Sequence, residues 1–218
     1  MAKNPTQRTT GPKPQYSREK IVDVAVGLAD ADGIEAVSVR SVASKLGTGP
    51  ASLYRYVKSY DQLTELMVDR ISAEYDYEAC SGSAIEQLLE IARQGRRIMS
   101  RHPWVPLIVM RNQVVTPNSL VYLERGLLAL ADTDLSAARK LHTLAMLNSI
   151  TAAFALNDQS QRGQQDASAL LNAMQMGSYP HLLLALSEIN EPLDLDSAFE
   201  QAIVTYLRGV GVGKYPYA

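Results

Sequence analysis

Residues 38–58 read SVRSVASKLGTGPASLYRYVK, with four cations (Arg40, Lys45, Arg55 and Lys58) and no carboxylate. Ser38 is an N-cap residue ahead of Val39, Val42, Ala43 and Leu46, which are apolar at i, i+3, i+4 and i+7; Gly47 is placed to end that helix. Pro50 follows at a first helical position, where its missing N–H costs nothing. The second helix of the pair is short and ends near Val57. At about 100° per residue Leu53 and Val57 fall on one side, about 40° apart, and face the core. Arg55 and Ala51 fall opposite them, flanked by Ser52 and Lys58, with Tyr54 and Tyr56 on the two sides between. Two short helices around a glycine turn, with a positive outer ridge, have the geometry that enters the major groove of DNA.

Moving outward, residues 1–16 are polar, carry prolines at 5, 12 and 14, and read as a flexible arm. Ser17 caps a first helix with Ile21, Val22, Ala25, Leu28 and Ala29 on one face, and Gly33 stops it. Ser59 caps a long fourth helix carrying Leu63, Leu66, Met67 and Ile71. Helical patterns then cover 84–101, Trp104 to about Met110, Thr116-Pro117 to about Ala131, 135–156, two shorter pieces of 165–187 broken near Gly177 and Pro180, and 195–209. There is no sustained two-residue alternation, hairpin signal or internal repeat. The expected class is all-α: a helix-turn-helix head over 17–60, joined by a long helix to a helical-bundle body over 61–218.

Composition narrows the function. The 218 residues carry a net charge of −2, but residues 1–58 hold nine cations against five anions and the remainder twelve against eighteen. A basic head on an acidic body suits one end that meets a polyanion. The single cysteine, Cys80, excludes an intramolecular disulfide. The N-terminus has no apolar core of a secretory signal, and the uncharged run 141–156 falls short of the ~20 residues a membrane span needs. A soluble, cytoplasmic protein without a membrane partner is expected. No Ser/His/Asp set, phosphate-binding glycine loop or clustered carboxylate pair points to an enzyme. His102, His142 and His181 lack metal-ligand spacing, so no metal or cofactor is expected.

In the head, Arg55 has the reach to read a guanine edge and Ala51 to meet a thymine methyl. The hydroxyls of Tyr54 and Tyr56, with Lys58, would fix register on phosphates. Ser38 and the N–H groups that start its helix make a second phosphate site. The run SVRSVASKLGTGPASLYRYVKSYDQLTELMVDRI resembles the N-terminal domain of TetR/AcrR-family transcriptional regulators. Lys45-Leu46-Gly47, Leu53-Tyr54, Tyr56-Val57-Lys58 and Leu63 carry the likeness. It implies a homodimer whose two heads occupy successive major grooves of a palindromic double-stranded operator. The positions set against DNA are then Ser38, Arg40, Thr48, Pro50, Ala51, Ser52, Tyr54, Arg55, Tyr56 and Lys58. The chain has Tyr60 where the family usually has lysine.

More weakly, residues 84–209 resemble the C-terminal domain of the tetracycline-repressor branch, through His102-Pro103-Trp104, Thr116-Pro117-Asn118 and Tyr122-Leu123-Glu124. That likeness implies a small-molecule effector inside the bundle. The candidate lining is Met99, Trp104, Ile108, Met110, Gln113, His142, Met146, Met174 and Tyr179, a methionine-rich apolar wall with a few polar groups; His142 reads more readily as an interior residue than as a ligand. Tyr75 and Asp76 stand where tetracycline repressors supply a histidine, which argues against a magnesium–tetracycline effector. Phe199, Ala202, Ile203, Tyr206 and Leu207, with Leu141, Leu144, Ala145, Asn148, Ala152 and Ala155, form two strips suited to a four-helix dimer interface; the alternative is that these helices bury each other within one chain. The expected function is a repressor released from its operator by a small, largely apolar effector, with helix four as the lever. The alternative is a DNA-binding regulator whose body serves only dimerisation or a protein partner.

Overall fold

The computed structural model describes residues 16–111, 115–162, 174, 177–188 and 194–213; all regular structure among them is helical. It groups into two compact units, the first ending at Met67 and the second beginning at Val68. That division lies beyond the expected break after Tyr60 and falls within a helix.

The first unit contains α1 (Arg18–Asp32), a 3-10 turn (Ile34–Ala36), α2 (Val39–Lys45), α3 (Pro50–Leu53) and the first two turns of α4 (Tyr60–Ser72). Local chemistry sets the boundaries. Ser17 Oγ accepts from Lys20 N, and Ser38 and Ser41 close a reciprocal capping box. Gly47, at φ +68°, takes the left-handed conformation that ends α2, with Thr48 N donating to Ala43 O at 2.9 Å. Ile21, Val22, Ala25 and Ala29 of α1 are buried, as are Val39, Val42 and Ala43 of α2, and α2 packs against both α1 and α3.

Two expectations for the head need correction. Regular α3 stops at Leu53 instead of running to Val57: Tyr54 N reaches Pro50 O at 3.3 Å, and Tyr56 N then tightens onto Leu53 O at 2.8 Å. Residues 54–56 are therefore turn, yet Leu53 and Val57 remain buried as one pair. Residues 1–15 of the arm lie outside the described residues, but Tyr16 belongs to the head; its ring is buried and its hydroxyl donates to Leu46 O at 3.3 Å.

The second unit contains the end of α4, a 3-10 turn (Tyr77–Ala79), α5 (Ala84–Arg101), α6 (Val105–Arg111), α7 (Pro117–Ala129), α8 (Ala137–Arg162), a short helix Pro180–Ser187 and a last helix Leu195–Gly209. Ser83 with Glu86 and Thr116 with Ser119 box the starts of α5 and α7. α5 lies along α8, and the last helix packs on both. Leu88, Leu89, Ile91, Ala92, Leu144, Leu147, Phe199, Ile203 and Leu207 form one buried cluster. Arg96 clasps the three helices: Nε and Nη2 donate to Asp158 at 2.7 and 2.9 Å, Nη1 lies 3.0 Å from Asp196, and the guanidinium sits 4.8 Å from the Phe199 ring centre.

This packing corrects part of the dimer strips and follows the intrachain alternative there, while Leu141 and Ala145 stay exposed. Phe199, Ile203 and Leu207, with Leu144, Ala152 and Ala155, are buried within the chain itself. Helices that share one protomer's core show the same apolar spacing as helices that pair two protomers. The expected pair of helices over 165–187 lies largely outside the described residues; the described part includes Pro180–Ser187. No helix among the described residues is long and apolar enough to cross a membrane.

Candidate nucleic-acid interface and ligand cavity

The turn at Gly47 and the start of α3 bring most of the ridge residues to one exposed surface of the head. Arg40, Ala51, Tyr54, Arg55 and Lys58 are exposed, Tyr54 at 52 %, while Thr48, Pro50 and Ser52 are half-buried. No carboxylate among the described residues lies within ion-pair distance of Arg40, Lys45, Arg55 or Lys58. The surface is therefore cationic and uncompensated, the condition under which phosphates are attracted.

Two ridge residues behave differently from expectation. The Tyr56 hydroxyl is buried without a hydrogen-bond partner, and the Arg55 guanidinium lies over its ring, 4.9 Å from the centre. Tyr56 thus supports Arg55 from beneath instead of reaching sideways to a phosphate. The Ser38 hydroxyl and N–H are both engaged with Ser41 at 2.8–3.1 Å, so the hydroxyl already serves as the helix cap.

The second unit holds a cavity of about 450 Å³ within its own helices. Val68, Ile71 and Ser72 of α4 and Tyr75 just beyond it form one wall; Ile98 and Met99 of α5 and Val105, Ile108 and Val109 of α6 form another. Val115, Ser119, Tyr122 and Leu123 at α7, with Leu141, Leu144, Ala145, Asn148 and Ser149 of α8, complete it. The Tyr75 and Tyr122 rings meet at 5.5 Å and 56°, and Tyr77 stacks on Tyr75 at 5.6 Å and 10°. Burial, followed by its ring neighbours Tyr122 and Tyr77, pushes the Tyr75 hydroxyl well above the usual phenol range; burial, then Tyr77, does the same to Tyr122. Burial raises Tyr77 to about 12. All three are neutral donors at ordinary pH.

Asp69, on α4, fixes the neighbouring start of α7. Its Oδ1 accepts from Asn118 N at 2.8 Å, and its carbonyl accepts from Asn118 Nδ2 at 3.2 Å.

Of the lining expected from sequence, Met99 and Ile108 stand in the cavity wall. Trp104 is buried elsewhere, edge-on to His102 at 6.4 Å. Met110 is 57 % exposed, and Met146, Tyr179 and His142 also face solvent, the last against its reading as an interior residue. Met174 is half-buried and does not line the cavity, and Gln113 lies outside the described residues. Sequence reasoning missed the tyrosine pair and Asn148 as lining. The usable signal was a polar group on an otherwise apolar helical face: Asn148 sits among Leu141, Leu144 and Ala145, the strip assigned to a dimer interface.

Residues 21–67 match the family described as bacterial regulatory proteins, tetR family, and residues 79–212 match the tetracyclin repressor-like C-terminal domain. The HTH-type transcriptional repressor DrrR1 of Streptomyces coeruleorubidus is 32 % identical over 159 residues, covering 72 % of this chain and 58 % of that protein. The chain thus spans little over half the length of that relative. Apo ActR from Streptomyces coelicolor shares the fold at a TM-score of 0.75 and 30 % identity, over 91 % of this chain and 99 % of ActR. ActR in complex with actinorhodin matches at 0.77 and 27 %, over 94 % and 99 %. A head matching one domain of the family and a body matching the other, in the family's order, leave one conclusion: the chain belongs to the TetR family of bacterial transcriptional regulators.

Proposed function

We propose that this chain is a repressor that binds a palindromic operator as a homodimer and is released by a small, largely apolar effector held in the cavity of its second unit. The cavity carries the reading. A body used only for dimerisation or for a protein partner has no need of about 450 Å³ of lined space, and a relative of matching length and fold was crystallised with actinorhodin. The exposed, unpaired cations around Tyr54 support the DNA half. In a dimer the heads must stand about one DNA turn apart, ~34–36 Å, to enter successive major grooves. An effector that binds better when they are misplaced weakens DNA affinity by its differential binding free energy.

Operator fragments selected from genomic DNA, followed by gel shifts, test the proposal. Lys58→Ala and Tyr54→Ala weaken binding across all selected sequences, whereas Arg55→Ala relaxes the preference at one base position. A compound that raises the melting temperature of the protein must also release the fragment. Wild-type-like binding by all three variants, or stabilising compounds that never release DNA, defeats the corresponding half.

A further inference from the structure

We propose that the molecule this cavity accepts is uncharged and flat, an aromatic ring system edged with hydroxyl or carbonyl groups. The proposal rests on the effector reading above and narrows it to a ligand class.

Charge is disfavoured first. None of the described residues lining the cavity is acidic, basic or a histidine. An ion entering there gives up water without meeting a counter-charge among those residues, the costly case for a buried charge. The tyrosines do not supply that counter-charge either, since burial holds them protonated.

The walls then favour aromatic over aliphatic guests. Tyr75 and Tyr122 present rings at 56° to each other, and Tyr77, stacked on Tyr75, holds that ring in place. A flat π-system inserted beside them meets edge and face in the arrangement aromatic quadrupoles prefer. The buried Met99 adds a polarisable thioether side chain to the α5–α6 wall. Ile71 and Leu123 complete an apolar slot for the ring body.

Polar edges are required as well. Asn148 offers both a donor and an acceptor, Tyr122 adds a hydroxyl, and Ser149, whose own hydroxyl donates to Ala145 O at 3.0 Å, keeps an acceptor. A plain hydrocarbon of the same volume would cover these groups and leave them unpaired, a penalty a hydroxyl- or carbonyl-bearing ring avoids. The volume, about 450 Å³, is within the range of sites for drug-sized ligands.

The test titrates the full chain with three probes: a dihydroxyanthraquinone that is neutral at the working pH, the same ring system carrying a sulfonate, and dodecanol. Calorimetric affinities are expected to favour the neutral quinone by about tenfold or more over the sulfonate and by about tenfold over dodecanol. Tyr122→Leu weakens the quinone about fivefold and spares dodecanol, while Tyr122→Phe, which keeps the ring, stays within about threefold of wild type. Equal or tighter binding of the sulfonate or the alcohol overturns the class, and so does a failure of the neutral quinone to bind. DNA release is scored separately. Quinone binding without release leaves the class standing and removes the effector reading; binding and release by dodecanol alone does the reverse.

Discussion

Replacing Lys58 by alanine removes one exposed, unpaired ammonium from the head, and so two from the proposed homodimer; the size of the effect follows from counterion release. Each phosphate neutralised on duplex DNA contributes about −0.9 to the slope of log affinity against log salt. If Arg40, Lys45, Arg55 and Lys58 of two heads all meet phosphates, the wild-type slope is about −7, and affinity falls about 10⁴-fold between about 50 and 200 mM salt. Lys58→Ala then flattens the slope by about 1.8, one phosphate contact for each head. Arg55→Ala flattens it by the same amount on a random duplex, where no base preference adds to the count. Fluorescence anisotropy with a labelled random-sequence duplex reads these slopes without knowledge of the operator. Lys3, Arg8 and Lys13 of the arm contribute equally to every variant, so the difference does not depend on them. A wild-type slope shallower than about −2, or identical slopes for wild type and both variants, would refute the cationic ridge as the DNA contact.

Tyr56→Phe removes a buried hydroxyl that has no partner; urea melts should show stability unchanged or higher by up to about 1 kcal/mol, with DNA affinity kept, and a large loss of affinity would return that hydroxyl to a phosphate. Arg96→Ala strips a bidentate partner from Asp158, the two side chains being only 13 % and 18 % exposed. Between the values for exposed and buried pairs, the expected loss is about 2–4 kcal/mol, read as a drop of about 5–10 °C in melting temperature; a change under about 1 °C contradicts the clasp. Tyr122 carries a pH signature. Below about pH 10 it is neutral folded or unfolded; above that the unfolded chain loses the proton and the folded chain retains it, so stability falls by up to about 1.4 kcal/mol per pH unit. Tyr122→Phe has no proton to lose there, and its denaturant midpoints should fall less steeply between about pH 10 and 12. Parallel curves for the two proteins would exclude the effect.

The head was legible because its determinants are local. Ser17, Ser38, Gly47 and Pro50 each act within one turn of helix, and a single sequence shows such signals directly. The same reading overran α3 because Leu53 and Val57, four apart, are buried together whether 54–56 is helix or turn. Periodicity over so few residues does not distinguish the two. The cavity was largely illegible for a different reason. Its wall takes residues from α4 to α8, and which of them face it is decided by how those helices pack. On a helical wheel Leu144 looks the same as core, interface or cavity wall; in the fold it is buried core and cavity wall together, while the Phe199 strip beside it is core alone.

α4 is where local and non-local determinants meet. Leu63 and Met67 are buried and group with the head; Val68, Ile71 and Ser72, one turn later, stand in the cavity wall. A helix is stiff along its axis because every turn is hydrogen-bonded to the next. Asp69 holds the same turn to the start of α7 through the Asn118 N–H and side chain. Under the proposed function, a guest pressing on Ile71 or Tyr75 strains the Asp69–Asn118 pair or shifts α4. By thermodynamic reciprocity, whatever factor such a guest takes from DNA affinity, DNA must take from the affinity of the cavity.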